Sequence, residues 1–289
     1  MMKIWICIPV FNRKELTLKC LSSLQKQQFV NTVIVICDHG STDGTAAAIR
    51  QQHPEVVVIQ ADSSLWWTGA INLSIAYALA HAAADDTVLT LNNDNELPED
   101  YLLNLAENHR QYPKAIISSV IHDINTGGLV DCGYRQNWLL AKARPVDFAT
   151  DHLLSDPNVV EVTHASGRGA LFPVAVFKRL GLFDERRLPH YTADYDFTFK
   201  AARAGFKIYC CLDCKVFSHV EETGMVKVLD QFSPQSFIDY FTSIRSPANL
   251  KARWWYGWNN CPKLILPLYL AIDVVRISGS YFRHFILKN

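Results

Sequence analysis

Asn92, Asn93, Asp94, Asn95 and Glu96 directly follow the apolar run Thr87–Leu91. A carboxylate flanked by amide oxygens offers hard oxygen ligands, the kind that hold Mg²⁺ or Mn²⁺ beside phosphates. Magnesium takes only one or two protein carboxylates and leaves its other positions to phosphate and water, so Asp94 needs no acidic cluster around it. The same residues also suit an ordinary Asn/Asp turn, and the segment by itself leaves both readings open. A second polar loop, Asp38-His39-Gly40-Ser41-Thr42-Asp43-Gly44, follows another apolar run. Its backbone can approach a ligand closely, and Asp38 can accept the ring N–H of a pyrimidine base. Ser41, Thr42 or Asp43 can also cap a helix, and one helix start can serve packing and ligand together.

The elements around these loops explain why they should meet. Ile4–Pro9, Thr32–Cys37, Val56–Gln60 and Thr87–Leu91 read as strands. They alternate with helices over Glu15–Gln27, through Arg50 and over Gly69–Ala83. That alternation predicts an α/β fold whose mainly parallel central sheet is flanked by helices. Ligands of such sheets bind beyond the carboxyl ends of the strands, where residues 9–13, 38–44 and 92–96 all fall. From Pro113 to Val162 the pattern weakens, and an irregular or antiparallel segment is expected. Helices then follow over Val174–Leu180 and Tyr195–Ala204, with a strand over Lys207–Cys211.

Composition narrows the class. With 289 residues, 49% hydrophobic and 19% charged, the chain suits one large α/β domain or a domain with an appendage, without a disordered tract. Eight cysteines are present, but Cys7 and Cys37 sit in strand-like apolar runs and no cleavable signal precedes them. Reduced thiols and a cytoplasmic location are therefore expected. Cys210, Cys211, Cys214 and His219 offer four zinc-type ligands, yet a lone Cys-x₂-Cys within a strand points neighbouring thiols to opposite faces. Buried, inert thiols are the expected outcome.

Zero net charge conceals an asymmetry. From Arg245 onward, seven Lys/Arg face a single acid, Asp273, for a charge of +6, and the remainder carries −6.

Eight blocks occur in a specific order: IPVFNR (8–13), DHGSTDGT (38–45), LWWTGAIN (65–72), LNND (91–94), GRGALFP (167–173), GLFDE (181–185), ADYDFTFKAARAGFKI (193–208) and His219. Together they resemble glycosyltransferase family 2, inverting enzymes of the Rossmann-like GT-A fold, and in particular its polysaccharide-building, rhamnosyltransferase-like branch. The resemblance runs from about Lys3 to His219. It implies a catalytic domain, placed at 1–230; after about Glu221 the residue character changes, and 231–289 reads as a helical, basic-aromatic extension. It further implies transfer of a sugar from a UDP- or dTDP-sugar to a hydroxyl of a glycan or lipid-linked glycan.

Residue roles follow from that resemblance. Pro9, Phe11 and Asn12 would flank the nucleotide, with Asp38 reading the base. Asn92 and Asp94 occupy the outer positions of the family's D-x-D motif, with asparagine replacing the first acid. Asp94 would then hold Mg²⁺ or Mn²⁺, with Asn92 and Asn93 on the nucleotide. His219 matches a histidine that completes the metal site; as a strand-end histidine it could instead be satisfied by backbone. The family's general base falls on Asp194. Here the chain departs, because Ala193 stands where a glutamate is expected. Asp196 is the family's second acid, which orients the loop or caps the next helix. Trp66, Trp67, Gly69, Asn72, Arg168 and Asp196 are expected around the donor sugar and acceptor. Indole faces suit the C–H surfaces of sugars. One tryptophan is expected in the core, and Trp67 in the sugar pocket.

The extension contains KARWWYGW and an apolar stretch over Leu264–Val275, broken by Pro267 and Asp273 and far short of the ~20 residues a membrane span needs. Its mixture of aromatic and basic residues suits a peripheral helix on an anionic membrane, at the inner face of the cell membrane. A helical pair packed on the domain and a homodimer contact are the alternatives, and no nucleic-acid partner is expected. Two other functions compete: a sugar-nucleotide nucleotidyltransferase, and a catalytically idle nucleotide-sugar-binding protein. PVFNRKE lacks the glycine-rich phosphate loop the first requires. Ala193 is what admits the second.

Overall fold

The computed structural model describes residues 2–29, 31–153, 155–222 and 233–286. Among them, eleven strands form one sheet, in the order β10(His152–Leu153), β11(Asp156–Glu161), β13(Ile208–Ser218), β6(Ile116–Asp123), β12(Ala170–Pro173), β4(Thr87–Thr90), β1(Ile4–Val10), β2(Thr32–Asp38), β3(Val57–Gln60). Off this path, β5(Asn95–Glu96) pairs with β13 and β7(Leu129–Asp131) with β6. The ladders β4-β1-β2-β3 and β6-β13 are parallel, while β12 is antiparallel to both β4 and β6. Most of the paired residues lie in the parallel ladders, and the architecture is an α/β GT-A fold.

Strand β1 shows why the sheet needs helices on both faces. Ile4, Ile6, Ile8 and Val10 point into one apolar cluster, and Trp5 and Cys7 into the other, as the two-residue period of a strand dictates. The first cluster is closed by α1(Lys14–Gln25), α2(Thr45–Gln52) and α4(Tyr101–Gln111). The second is closed by α3(Trp66–His81), α6(Val174–Leu180) and α7(Ala193–Arg203). On α1, Thr17, Cys20, Leu21 and Leu24 form the buried stripe.

The weakly patterned middle contains β6, β7, the hairpin β8(Tyr134–Asn137)–β9(Lys142–Pro145), a short α5(Phe148–Asp151), β10 and β11. Strand β13 runs on to Ser218, well beyond Cys211, through a register shift between Cys211 and Lys215. All eight cysteines are buried and unbridged.

The extension comprises α8(Pro234–Thr242), α9(Leu250–Asn260) and α10(Leu266–Ile286). Helix α9 is fastened to α7: both Asn259 and Asn260 donate to Asp196 Oδ1, at 3.0 and 2.7 Å, and Arg203 donates to Asn259 O and Asn260 Oδ1. Among the described residues no helix is long and apolar enough to cross a membrane. The expected boundary between 230 and 231 lies outside the described residues.

Candidate active site

The loops after β1, β2 and β4 converge as their topology requires. Asn12 is the hinge between the first two: its N–H donates to Ser41 Oγ at 2.7 Å, and its Oδ1 accepts from Thr42 N–H at 2.9 Å. Asp38 Oδ1 accepts from Ser41 N–H, and Phe11 stacks on His39 with centroids 5.2 Å apart. At Gly40, with φ +100°, an added Cβ would meet Ser63 at 3.2 Å, so both conformation and space favour glycine. Phe11, Asn12 and Asp38 thus tie the two loops together without lining the cavity, whereas Pro9 and Arg13 line it.

That cavity encloses about 530 Å³, within the ordinary range for small-ligand sites. One wall is Pro9, Arg13, Trp67, Asn92, Asn93 and Asp94. Its middle is Ser166, Arg168, His190, Asp194 and Tyr195. The hairpin adds Tyr134, Gln136, Ala141 and Ala143, and the extension adds Pro247, Arg253, Tyr256, Tyr269 and Arg276. Five described non-glycine residues have positive φ: Asn12, Arg13, Trp66, Ala141 and Thr192. Three line the cavity and the other two immediately precede residues that do, so backbone strain is concentrated where a ligand would sit.

Asp94 is almost fully buried. Its Oδ2 faces Arg13 Nη1 at 3.2 Å, and Oδ1 has no partner among the described residues. Burial raises its pKa, against the opposing charges of Arg13, Arg168 and His219. An orphaned carboxylate oxygen is costly unless a ligand completes it. Asp94 therefore suits a hard cation, although no group of three His, Cys, Asp or Glu among the described residues is placed to cage one. His219 donates its backbone N–H to Asp94 O at 3.0 Å, but its ring turns to Glu96 Oε1 at 2.9 Å. The backbone alternative thus describes part of this histidine, and a carboxylate holds the rest.

Asn92 Oδ1 accepts the indole N–H of Trp67 at 2.9 Å, and Asn93 is tied to Thr17 Oγ1. Trp67 lines the cavity with one edge against Phe183, while Trp66 lies outside it, near His190 and Arg245. Both tryptophans are only partly buried, so neither is the expected core residue; Trp67 packs its inner edge against the second apolar cluster while lining the cavity. Gly167 permits the next step: a Cβ there would meet Trp67 Cη2 at 3.0 Å and Asp194 Cβ at 3.2 Å.

Asp194 begins α7 inside the cavity. Its Oδ2 accepts from Gly167 N–H at 2.8 Å and its Oδ1 from Tyr195 N–H at 2.9 Å. Burial raises its pKa, opposed by those two N–H groups and by Arg168. Arg168 is coupled electrostatically to Asp94, Asp194 and the buried Asp131. Asp131, which carried no sequence signal, accepts from Tyr195 Oη at 3.2 Å. Ala193 is buried and leaves Asp194 and Asp196 as the first-turn acids.

Three expected donor or acceptor residues serve the fold instead. Asn72 holds the loop after α6, donating to Phe183 O and Glu185 Oε2 and accepting from Phe183 N–H. Gly69 packs within α3 against Leu65. Asp196 anchors α9, and none of the three lines the cavity.

A family model for glycosyl transferase family 2 matches residues 5–180. The chain belongs to that family. No curated protein matches the chain significantly. Among solved structures of glycosyltransferase fold, GalNAc-T7 with UDP, GalNAc and Mn²⁺ matches with a TM-score of 0.62 at 15% identity, over 75% of this chain and 44% of that one. The chain therefore spans less than half of GalNAc-T7. Residues 1–349 of S. aureus TarS match with a TM-score of 0.57 at 15% identity, covering 96% and 92%. The mannosyltransferase PcManGT from Pyrobaculum calidifontis, with GDP-Man and Mn²⁺, matches with a TM-score of 0.55 at 16% identity, covering 99% and 79%. These likenesses support the fold of this family 2 member.

Proposed function

We propose that this family 2 chain is an inverting glycosyltransferase that moves a sugar from a UDP- or dTDP-sugar to an acceptor hydroxyl in surface glycan synthesis. The observation that carries this reading is that Asp94 and Asp194, two carboxylates with different surroundings, face one cavity with Arg168 coupled to both.

Asp94, through its unpartnered Oδ1, would hold Mg²⁺ or Mn²⁺, with His219 the adjacent candidate. Such a cation neutralises charge on a diphosphate leaving group. The presence of Mn²⁺ in the GalNAc-T7 and PcManGT structures supports the choice of ion. Arg13 on the same wall and Arg168 in the middle of the cavity add positive charge. Pro9, Phe11, Asn12 and Asp38 are assigned to the nucleotide, and Trp67 to the donor sugar.

Asp194 takes the proton of the acceptor hydroxyl as its oxygen bonds to the anomeric carbon. The bond from that carbon to the diphosphate oxygen breaks in line, and the anomeric configuration inverts. The two N–H groups on Asp194 fix its orientation, and burial makes it a stronger base than an exposed aspartate. The outer face of the extension, with Trp254, Trp258, Leu268 and Val275 exposed among basic residues, fits peripheral contact with an anionic bilayer at the inner membrane face.

Asp194→Asn tests the assignment. Transfer should fall by roughly 10²–10⁴-fold while UDP binding in Mn²⁺ is retained; unimpaired transfer would remove Asp194 from the role of base.

A further inference from the structure

Helix α10 presents two different faces. Tyr269 and Arg276, two turns apart, line the cavity. Leu268, Val275 and Phe282, at the same seven-residue interval, are 50%, 73% and 45% exposed. Pro267, Ala271 and Gly279 are also exposed, and the outward stripe is bordered by the exposed Arg276 and Arg283.

On the cavity side stands a fixed group of charges. Asp273, only 2% exposed, receives Arg253 Nε and Nη2, and also Arg276 Nη2 at 2.8 Å. Arg253 is further held by Pro247 O at 2.9 Å. Two guanidinium groups share one carboxylate, so this end of the cavity keeps an excess of one positive charge. Arg253 is spent on Asp273 and Pro247, whereas the Arg276 side chain remains 46% exposed. A guanidinium whose position is fixed in advance by a buried acid is suited to a phosphate oxygen, because less side-chain entropy is lost on binding. None of these residues belongs to the wall that holds Asp94.

We infer that Arg276, positioned by Asp273 and Arg253, binds a phosphate group carried by the acceptor at the extension's end of the cavity. This inference rests on the glycosyltransferase reading and names the class of acceptor: a phosphorylated one. The apolar stripe on the adjacent face of the same helix places that phosphate site beside a surface fit for lipid. A lipid-linked phosphate and a soluble sugar phosphate share the required chemistry.

The test is calorimetric titration of the full chain, saturated with UDP and Mn²⁺, with geranyl monophosphate, glucose 1-phosphate, inorganic phosphate and geraniol. The phosphate probes should bind and geraniol should not. Arg276→Gln should weaken phosphate binding about tenfold or more, Arg276→Lys should recover part of it, and UDP affinity should not change. Tighter binding of geranyl phosphate than of glucose 1-phosphate supports a lipid-linked source, and equal binding supports a soluble one. Phosphate binding identical in wild type and Arg276→Gln, or binding lost whenever UDP is present, overturns the inference. Failure of UDP and Mn²⁺ to bind at all, with Arg276-dependent phosphate binding intact, overturns the glycosyltransferase reading instead.

Discussion

Arg13 Nη1 lies 3.2 Å from Asp94 Oδ2, and the other carboxylate oxygen of Asp94 is buried without a partner among the described residues. The guanidinium engages one carboxylate oxygen and leaves the second, among the described residues, available to a ligand. A cation added there favours the ionised carboxylate and so opposes the rise in the Asp94 pKa that burial causes.

The first prediction follows from that pair. Mn²⁺ with UDP should raise the melting temperature of the wild-type chain, because ligands that bind the native state stabilise it. Asp94→Asn should abolish the part of the shift that depends on Mn²⁺. Thermal melts with and without EDTA read the difference, and an unchanged shift in Asp94→Asn would remove Asp94 from the metal site.

For Asp194, the sign of the pH effect is fixed by burial. Its folded-state pKa is raised above the ordinary ~3.9 of an aspartate. A base works only when ionised, so transfer should fall as pH drops through that raised value. The acidic limb of the kcat/KM profile should therefore lie above ~3.9. A limb at or below the ordinary aspartate value contradicts the assignment.

Trp67→Phe keeps a ring in the cavity but removes the bond to Asn92 Oδ1. The lost hydrogen bond is worth about 1 kcal/mol, so the donor KM should rise roughly fivefold. Steady-state kinetics check this, and an unaltered KM would mean that Asn92 is held without the indole.

Asp273→Asn should unfold at lower urea concentration. Burial pushes the Asp273 pKa up, but Arg253 and Arg276 outweigh it and hold the acid ionised, below the usual range. Removing that charge leaves Arg253, 17% exposed, without its partner. The expected loss is about 3–5 kcal/mol. Stability linked to this depressed pKa is present above the unfolded value and lost as pH falls through the folded one. A variant as stable as wild type would show that Arg253 finds another acceptor.

Much of this arrangement was legible in the residues. The strand–loop alternation of the first hundred residues located β1 to β4 within a residue or two, because parallel strands buried on both faces read as continuous apolar runs. The same topology brought the loops at 9–13, 38–44 and 92–96 to one sheet end. Direction was harder to read than position. Asn72 and Asp196 sit in the expected motifs, yet their side chains turn to Phe183 and to Asn260, and no local spacing encodes that choice. Arg253, Arg276 and the hairpin around Ala141 reach the cavity only through long-range packing, and Asp131 acts on it through Tyr195. Trp138, for example, joins Phe199, Tyr256 and Tyr269 from three separate helices. The basic character of the extension was visible, but the buried partner of two of its arginines was not.

The most direct measurement is a crystal structure of the chain with UDP and Mn²⁺, the ion located from its anomalous scattering. An anomalous peak is expected within coordination distance of Asp94 and both phosphates, with Asp194 facing the vacant sugar position across the cavity. A peak coordinated elsewhere, or a diphosphate bound away from Asp94, would contradict the metal-site assignment of Asp94.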